Sequence, residues 1–268
     1  MSLRSQYMGQ DTRGLSGRIW DRIDVDRLMR NPREGHFFYD DFLNTPTFAS
    51  ATSQSGYITY QDTSATVAGV ATDDADCFLI NSTATTDNNE AGLTFSANVG
   101  APFRLDTSVK ADVAFEARIK LSSVTDVGFI VGLAEEGLAA ANTLTDNTGA
   151  PADKDYIGYR ILTADSDGLD AVYNMESAGG ETVAKNEAQV ISTGTWYKVG
   201  FRYDSQRDKL VWYVDNDLIA TTSDVSALTS GSFPDGEALA PLIHIKTGSA
   251  ADKEAALDWW AIGQYKAS

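Results

Sequence analysis

The sequence predicts an all-β protein: two antiparallel sheets packed face to face, preceded by an N-terminal arm. Three observations carry that reading. Segment 195–222, TWYKVGFRYDSQRDKLVWYVDNDLIATT, reads as strand, turn, strand, tight turn, strand. Segment 112–121 alternates strictly, with Val113, Phe115, Ala117, Ile119 and Leu121 on one side and Ala114, Glu116, Arg118 and Lys120 on the other. That is the period of a half-buried strand. Short apolar runs also recur along the chain between turn residues, the rhythm of a sandwich rather than a helical bundle.

Taken in order, a boundary near Gly35 separates an arm (1–36) from the sandwich (37–268). Within the arm, SGRIWDRIDVDRLM at 16–29 offers Ser16 as an N-cap and Asn31-Pro32 as a stop. Ile19 and Ile23 share a helical face, while Val25, Leu28 and Met29 fall elsewhere, so no single apolar stripe forms. Either the arm folds over its own domain, or it orders on a neighbouring subunit. Strands follow at 37–42, 56–60, 66–71, 77–81, 91–96 and 112–121. Segment 127–134 is apolar on both sides and belongs in the centre of a sheet. A hairpin joins 156–163 to 169–175 across Asp165-Ser166-Asp167-Gly168, and a short strand occupies 182–185. In the 195–222 cluster, Tyr197, Val199, Phe201 and Tyr203 oppose Lys198, Gly200 and Arg202. Asp215-Asn216-Asp217 then supplies residues that tolerate positive φ in a hairpin. The last strands are 242–246 and 256–265, and Trp259-Trp260 place one indole on each face. The loop 135–154 is long, small and polar, with 135–141 its best candidate for a short helix. Loops of that size tend to be functional or to cover an interface.

Charge divides the chain unequally. Residues 1–36 hold seven arginines against five acids, whereas the remainder holds 14 basic and 33 acidic residues within an overall charge of −17. A body this acidic repels nucleic acid and anionic membranes. The one cysteine, Cys77, has no intramolecular partner and reads as a buried strand position. No apolar run reaches the roughly 20 residues of a membrane span, and the N-terminus shows no apolar signal region.

The 195–222 pattern resembles the concanavalin A-like (laminin-G-like) jelly-roll sandwich, with Asn216 where that family often has Gly. Three pieces resemble, more narrowly, a group of bacteriophage virion proteins of that fold: FFYDDF at 37–42, FEARIKLSSVTDVGFIVGLAEEGLAA at 115–140 with DKDYIGYR at 153–160, and LDWWAIGQ at 257–264. The first and last fit a sandwich whose initial and final strands pair. The resemblance implies a non-enzymatic capsid decoration (cement) protein located in the virion and assembled in the host cytoplasm. Its partners would be the major capsid protein and other copies of itself, with a trimer expected. The arm would make those contacts through Arg13, Arg18, Trp20, Arg22, Ile23, Arg27, Leu28, Arg30 and Arg33. The alternative is a carbohydrate-binding, lectin-like module of a tail or head fibre that contacts the host surface.

Few residues point to chemistry. No Glu-x-Asp-x-x-Glu strand provides the paired carboxylates of a retaining glycosidase. Glu254, Asp258 and Glu116 come nearest without matching the spacing. Three acidic clusters, at 73–76, 87–90 and 165–170, could fold oxygens around calcium or serve as solvated turns. Asp165, Asp167 and Asp170 are the metal candidates, beside a Gly-containing turn; otherwise no cofactor is expected. The two histidines, His36 and His244, are too far apart for metal-ligand spacing, and His244 between Ile243 and Ile245 reads as a satisfied strand residue.

Overall fold

A computed structural model describes residues 14–42, 48, 53–54, 56–70, 78–95, 101–136, 138–165, 168–222 and 231–265. Its strands, numbered in chain order, form two antiparallel sheets. The first runs β15 (Asp217–Thr222), β14 (Lys209–Val214), β13 (Tyr197–Asp204), β8 (Val113–Leu121), β17 (Glu254–Tyr265), β5 (Phe78–Ser82), β4 (Thr66–Val70), with β1 (Gly35–Asp40) also paired to β17. The second runs β12 (Thr182–Val190), β11 (Gly168–Asn174), β10 (Tyr156–Ile161), β9 (Val127–Ala134), β16 (Ala238–Thr247), β6 (Glu90–Phe95), β3 (Tyr57–Gln61), β2 (Ser53–Gln54), with β7 (Phe103–Arg104) also on β16. The chain is thus the all-β jelly-roll sandwich that the strand pattern predicts.

Alternation decides what fills the middle. Val113, Phe115, Ala117, Ile119 and Leu121 of β8 all enter the core between the sheets, as do Phe201, Tyr203, Trp212 and Trp260. Burying a Val, Ile, Leu or Phe side chain of this kind contributes about 1.5–3 kcal/mol. Ala114, one step out of phase, faces outward into a second cluster. Trp259 joins that outer cluster while Trp260 stays inside, so the two indoles take opposite faces of β17 as predicted. Asp215 and Asn216 close the β14–β15 hairpin at φ 48° and 69°, the positive-φ pair that a two-residue hairpin loop requires. β1 pairs with β17 from Gly35↔Tyr265 to Asp40↔Trp260, which joins the first and last strands.

Several local expectations are corrected. Ser16 caps no helix; its N–H donates to Glu116 Oε2 at 2.9 Å. The helix, α1 (Val25–Arg30), is one turn and a half, and Asp24 caps it by accepting the Arg27 N–H at 3.1 Å. Residues 17–22 form turns instead, because Ile19 and Trp20 are drawn onto the first sheet. The described residues of 135–141 are turns and bends rather than a helix, since Leu138 is pulled onto the outer face of the second sheet. β12 extends to Val190 and β16 begins at Ala238, both longer than predicted. Cys77 and the acidic cluster 73–76 lie outside the described residues.

Both outer faces are covered. The arm packs Leu15, Ile19, Trp20, Ile23 and Leu28 over Ala114, Val211, Tyr213, Trp259 and Ala261 of the first sheet. The loop 135–154 packs Leu138 and Leu144 over Ile130, Tyr156, Val172 and Leu242 of the second.

Candidate functional site

Beneath the 135–154 loop, the outer face of the second sheet carries charge where an exposed sheet face would carry water. The register sets Tyr60, Gly92, His244, Ile130, Arg160 and Asp170 in one row across six strands. One step along, Glu90 stands opposite Lys246. Gly92 is required here because the His244 ring occupies the space that a Cβ would need.

Glu90 is the hub. Its Oε2 meets His244 Nε2 at 2.9 Å, and its Oε1 accepts from Lys246 Nζ at 3.1 Å. The same carboxylate accepts the loop N–H groups of Asn142 at 2.8 Å and Leu144 at 3.3 Å. Lys246 also donates to the Leu144 carbonyl at 2.9 Å and pairs with Asp146 at 2.5 Å. Glu90, His244 and Lys246 are at most 2% exposed. Burial by itself would raise the Glu90 pKa, but His244 and Lys246 together outweigh it and hold the carboxyl below its ordinary range. Glu90 is therefore a fixed anion that pins the loop to the sheet. Nδ1 of His244 has no hydrogen-bond partner, so the expectation of a fully satisfied strand histidine is only half met.

The network reaches solvent at one end. Tyr60 is half-buried, its ring 6.3 Å from the His244 ring and 16° from parallel. Its hydroxyl donates to Asp62 Oδ1 at 2.6 Å, which, with partial burial and nearby acids, pushes its pKa up to about 12. Asp62 Oδ2 in turn accepts the Glu90 N–H at 2.9 Å. Asn142 and Asp146 are exposed. An aromatic ring with a carboxylate hydrogen-bonded to its hydroxyl can take the apolar face of a polyhydroxylated ligand and hydrogen-bond its rim.

The residues singled out in the sequence fall elsewhere. Asp170 is 1% exposed, lies 3.3 Å from Arg160 Nη2 and accepts the Glu187 N–H at 2.8 Å. An arginine, not an open cavity, thus faces this carboxylate. The Asp165 carbonyl accepts the Gly168 N–H in the turn, and Asp167 lies outside the described residues. Among the described residues, no group of three His, Cys, Asp or Glu side chains is placed to hold a metal ion. Trp20, Ile23 and Leu28 are buried against the protein's own first sheet, the first of the two arrangements considered for the arm. Arg22 pairs with Asp204 at 3.3 Å, Arg27 with Glu34, and Arg18 loosely with Asp217 at 3.5 Å. Arg30 and Arg33 are exposed, and Arg13 lies outside the described residues.

Of the near-matches for paired carboxylates, Glu116 is fully buried under the arm, where loss of hydration raises its pKa. Asp258 pairs with Arg118. Glu254 is raised by partial burial and by Asp252. Glu90 and Lys246 escaped sequence reading because they meet only through the β6–β16 register. The one hint was a histidine flanked by isoleucines near a strand end.

No protein-family model and no curated protein matches the sequence. Solved structures do match the fold. The carbohydrate recognition domain of Emp47p shares 12% identity at TM-score 0.51, over 89% of this chain and 99% of that one. A glycoside hydrolase family 16 endo-glucanase from Bacteroides ovatus shares 14% at 0.54, over 84% and 99%. Peanut lectin shares 12% at 0.54, over 86% and 97%. At such identities the likeness establishes the concanavalin A-like, lectin-like jelly-roll fold. It also corrects the non-enzyme expectation. Glycoside hydrolases, a glucuronan lyase and a transglycosylase share this architecture, so one missing motif is no ground for calling the chain a non-enzyme.

Proposed function

We propose that this chain is a lectin-like carbohydrate-binding module, with the sugar seated on Tyr60 beside Asp62. The observation that carries the reading is the half-exposed Tyr60 ring, held nearly parallel to buried His244 and tied to Asp62 at the mouth of the Glu90 network. Similarity to a carbohydrate recognition domain and to a lectin supports it. The host-surface fibre named above would be one setting for such a module. Glycan-array screening followed by calorimetry tests it. Tyr60→Ala is expected to weaken binding at least tenfold, Tyr60→Phe to retain most of it, and Trp196→Ala, which alters a ring packed against Arg118 and Lys120 of the first sheet, to leave it unchanged. A folded chain that binds no glycan, or a Tyr60→Ala variant that binds normally, overturns the assignment.

A second reading, attachment to a viral capsid as a decoration protein, is supported by the cations left on the docked arm. The side chains of Arg18 and Arg27, though paired with Asp217 and Glu34, are 59% and 60% exposed, and Arg30 and Arg33 are exposed a few residues after Arg27, on a molecule of charge −17. Mass spectrometry of purified particles, and particle binding by an Arg30→Glu/Arg33→Glu variant, test this reading. Absence from particles sinks it.

A further inference from the structure

Beside α1, where the arm joins the body, opens a cavity of about 480 Å³ whose lining includes Leu28, Met29, Pro32, His36, Phe37 and Tyr39. That volume lies within the usual range of ligand pockets and exceeds what one aliphatic side chain fills. Met29 is one of four large apolar side chains exposed among the described residues, at 50%. Arg30 and Arg33 adjoin the lining residues in sequence and are exposed. Apolar and polar surface share the lining about equally, and two exposed arginines adjoin it in sequence, on a chain of net charge −17.

The complementary shape is on the same molecule. Leu218, at 53% the most exposed large apolar side chain among the described residues, follows the tip of the β14–β15 hairpin. It directly follows Asp217, whose side chain is 80% exposed, and the exposed Asp215 stands two residues before Asp217. Leu218 stands opposite Tyr213, on the face that the arm also covers. The two features cannot meet within one chain. β15 is one edge of the first sheet, and β1 lies five strand spacings away, about 24 Å.

We propose that the cavity beside α1 receives Leu218 of a second copy of this chain, with Asp215 and Asp217 of that hairpin facing Arg30 and Arg33. An apolar knob meets the Leu28, Met29 and Phe37 side chains of the lining, and opposite charges meet at the rim. The two surfaces differ, so the contact is head to tail and generates a closed ring or a filament rather than a two-fold dimer. The inference stands independently of the carbohydrate reading.

Sedimentation velocity on the full chain tests it. The wild type is expected to form species heavier than the 28.9 kDa monomer as concentration rises. Leu218→Lys and Met29→Glu alter exposed side chains, and each alone is expected to sediment as a monomer. Mixed together, the two variants are expected to form pairs and nothing larger, because one intact knob and one intact cavity remain. A wild type monomeric up to about 1 mM, variants that associate like the wild type, or a mixture that stays monomeric would each overturn the proposal.

Discussion

Trp20 donates its indole N–H to Glu116 Oε2 across 2.8 Å, and both residues are 0% exposed. The backbone N–H of Ser16 is the second donor to that oxygen. A carboxyl on the outer face of β8 is thus buried by the arm and hydrogen-bonded by it. Docking of the arm supplies both donors to Oε2, while the buried Oε1 has no hydrogen-bond partner.

Trp20→Phe keeps a ring in place but removes one of the two donors. It is expected to cost about 1–3 kcal/mol, the penalty for an under-bonded buried group. Trp20→Ala adds a cavity and is expected to cost about 3–5 kcal/mol. Urea unfolding curves of the two variants would show the order, and equal midpoints would contradict it.

Glu116 should also leave a mark on the pH dependence of stability. Its folded pKa is raised by burial, so folding favours the protonated form. That contribution is complete below the ordinary glutamate pKa and declines as pH rises toward the folded value. In Glu116→Gln this decline is expected to vanish. Stability profiles of variant and wild type that stay parallel across the window would refute it.

Glu90 has the opposite sign. Its pKa is lowered by His244 and Lys246 acting against burial, so its contribution is complete above the ordinary glutamate pKa and lost as pH falls through the folded value. The amides of Asn142 and Leu144, which donate to Glu90, are expected to lose hydrogen-exchange protection on acidification before the core strands do. Glu90→Ala at neutral pH would leave Lys246 and His244 buried without that anion, at a cost of about 3–5 kcal/mol. A cost below 1 kcal/mol would show that the network is not holding the loop.

Arm docking can be separated from the sandwich at Gly263. A Cβ there would lie 2.8 Å from the Trp20 ring and 3.1 Å from Ile23. Gly263→Leu is expected to expose residues 14–30 to protease while residues 35–265 stay resistant. Uniform resistance, or loss of the whole fold, would disprove this separation.

Much of the sandwich was legible because period-two alternation reports which side of a strand is buried. That is why β8, the β14–β15 hairpin and the split of Trp259 from Trp260 could be read directly. The arm was harder, since Ile19, Trp20 and Ile23 pack through turns and follow neither sheet nor helix period. The candidate site was hardest. Glu90 and His244 are 154 residues apart and meet only through strand register, which local sequence does not encode. The Asp165–Asp170 turn misled for the converse reason: acidic composition does not say whether an arginine on the next strand has already claimed a carboxylate.

The placement of β17 has a cost in time. This strand is translated after every other described strand, yet it lies in the interior of its sheet, with β8 on one side and both β5 and β1 on the other. Until it emerges, β8 has no partner on that flank, and β1, made more than two hundred residues earlier, has no partner at all. Pairing of such distant segments is slow and leaves edges open to other chains meanwhile. The nascent chain should therefore be most vulnerable to misassociation in the interval before β17 emerges to pair with β8 and β1.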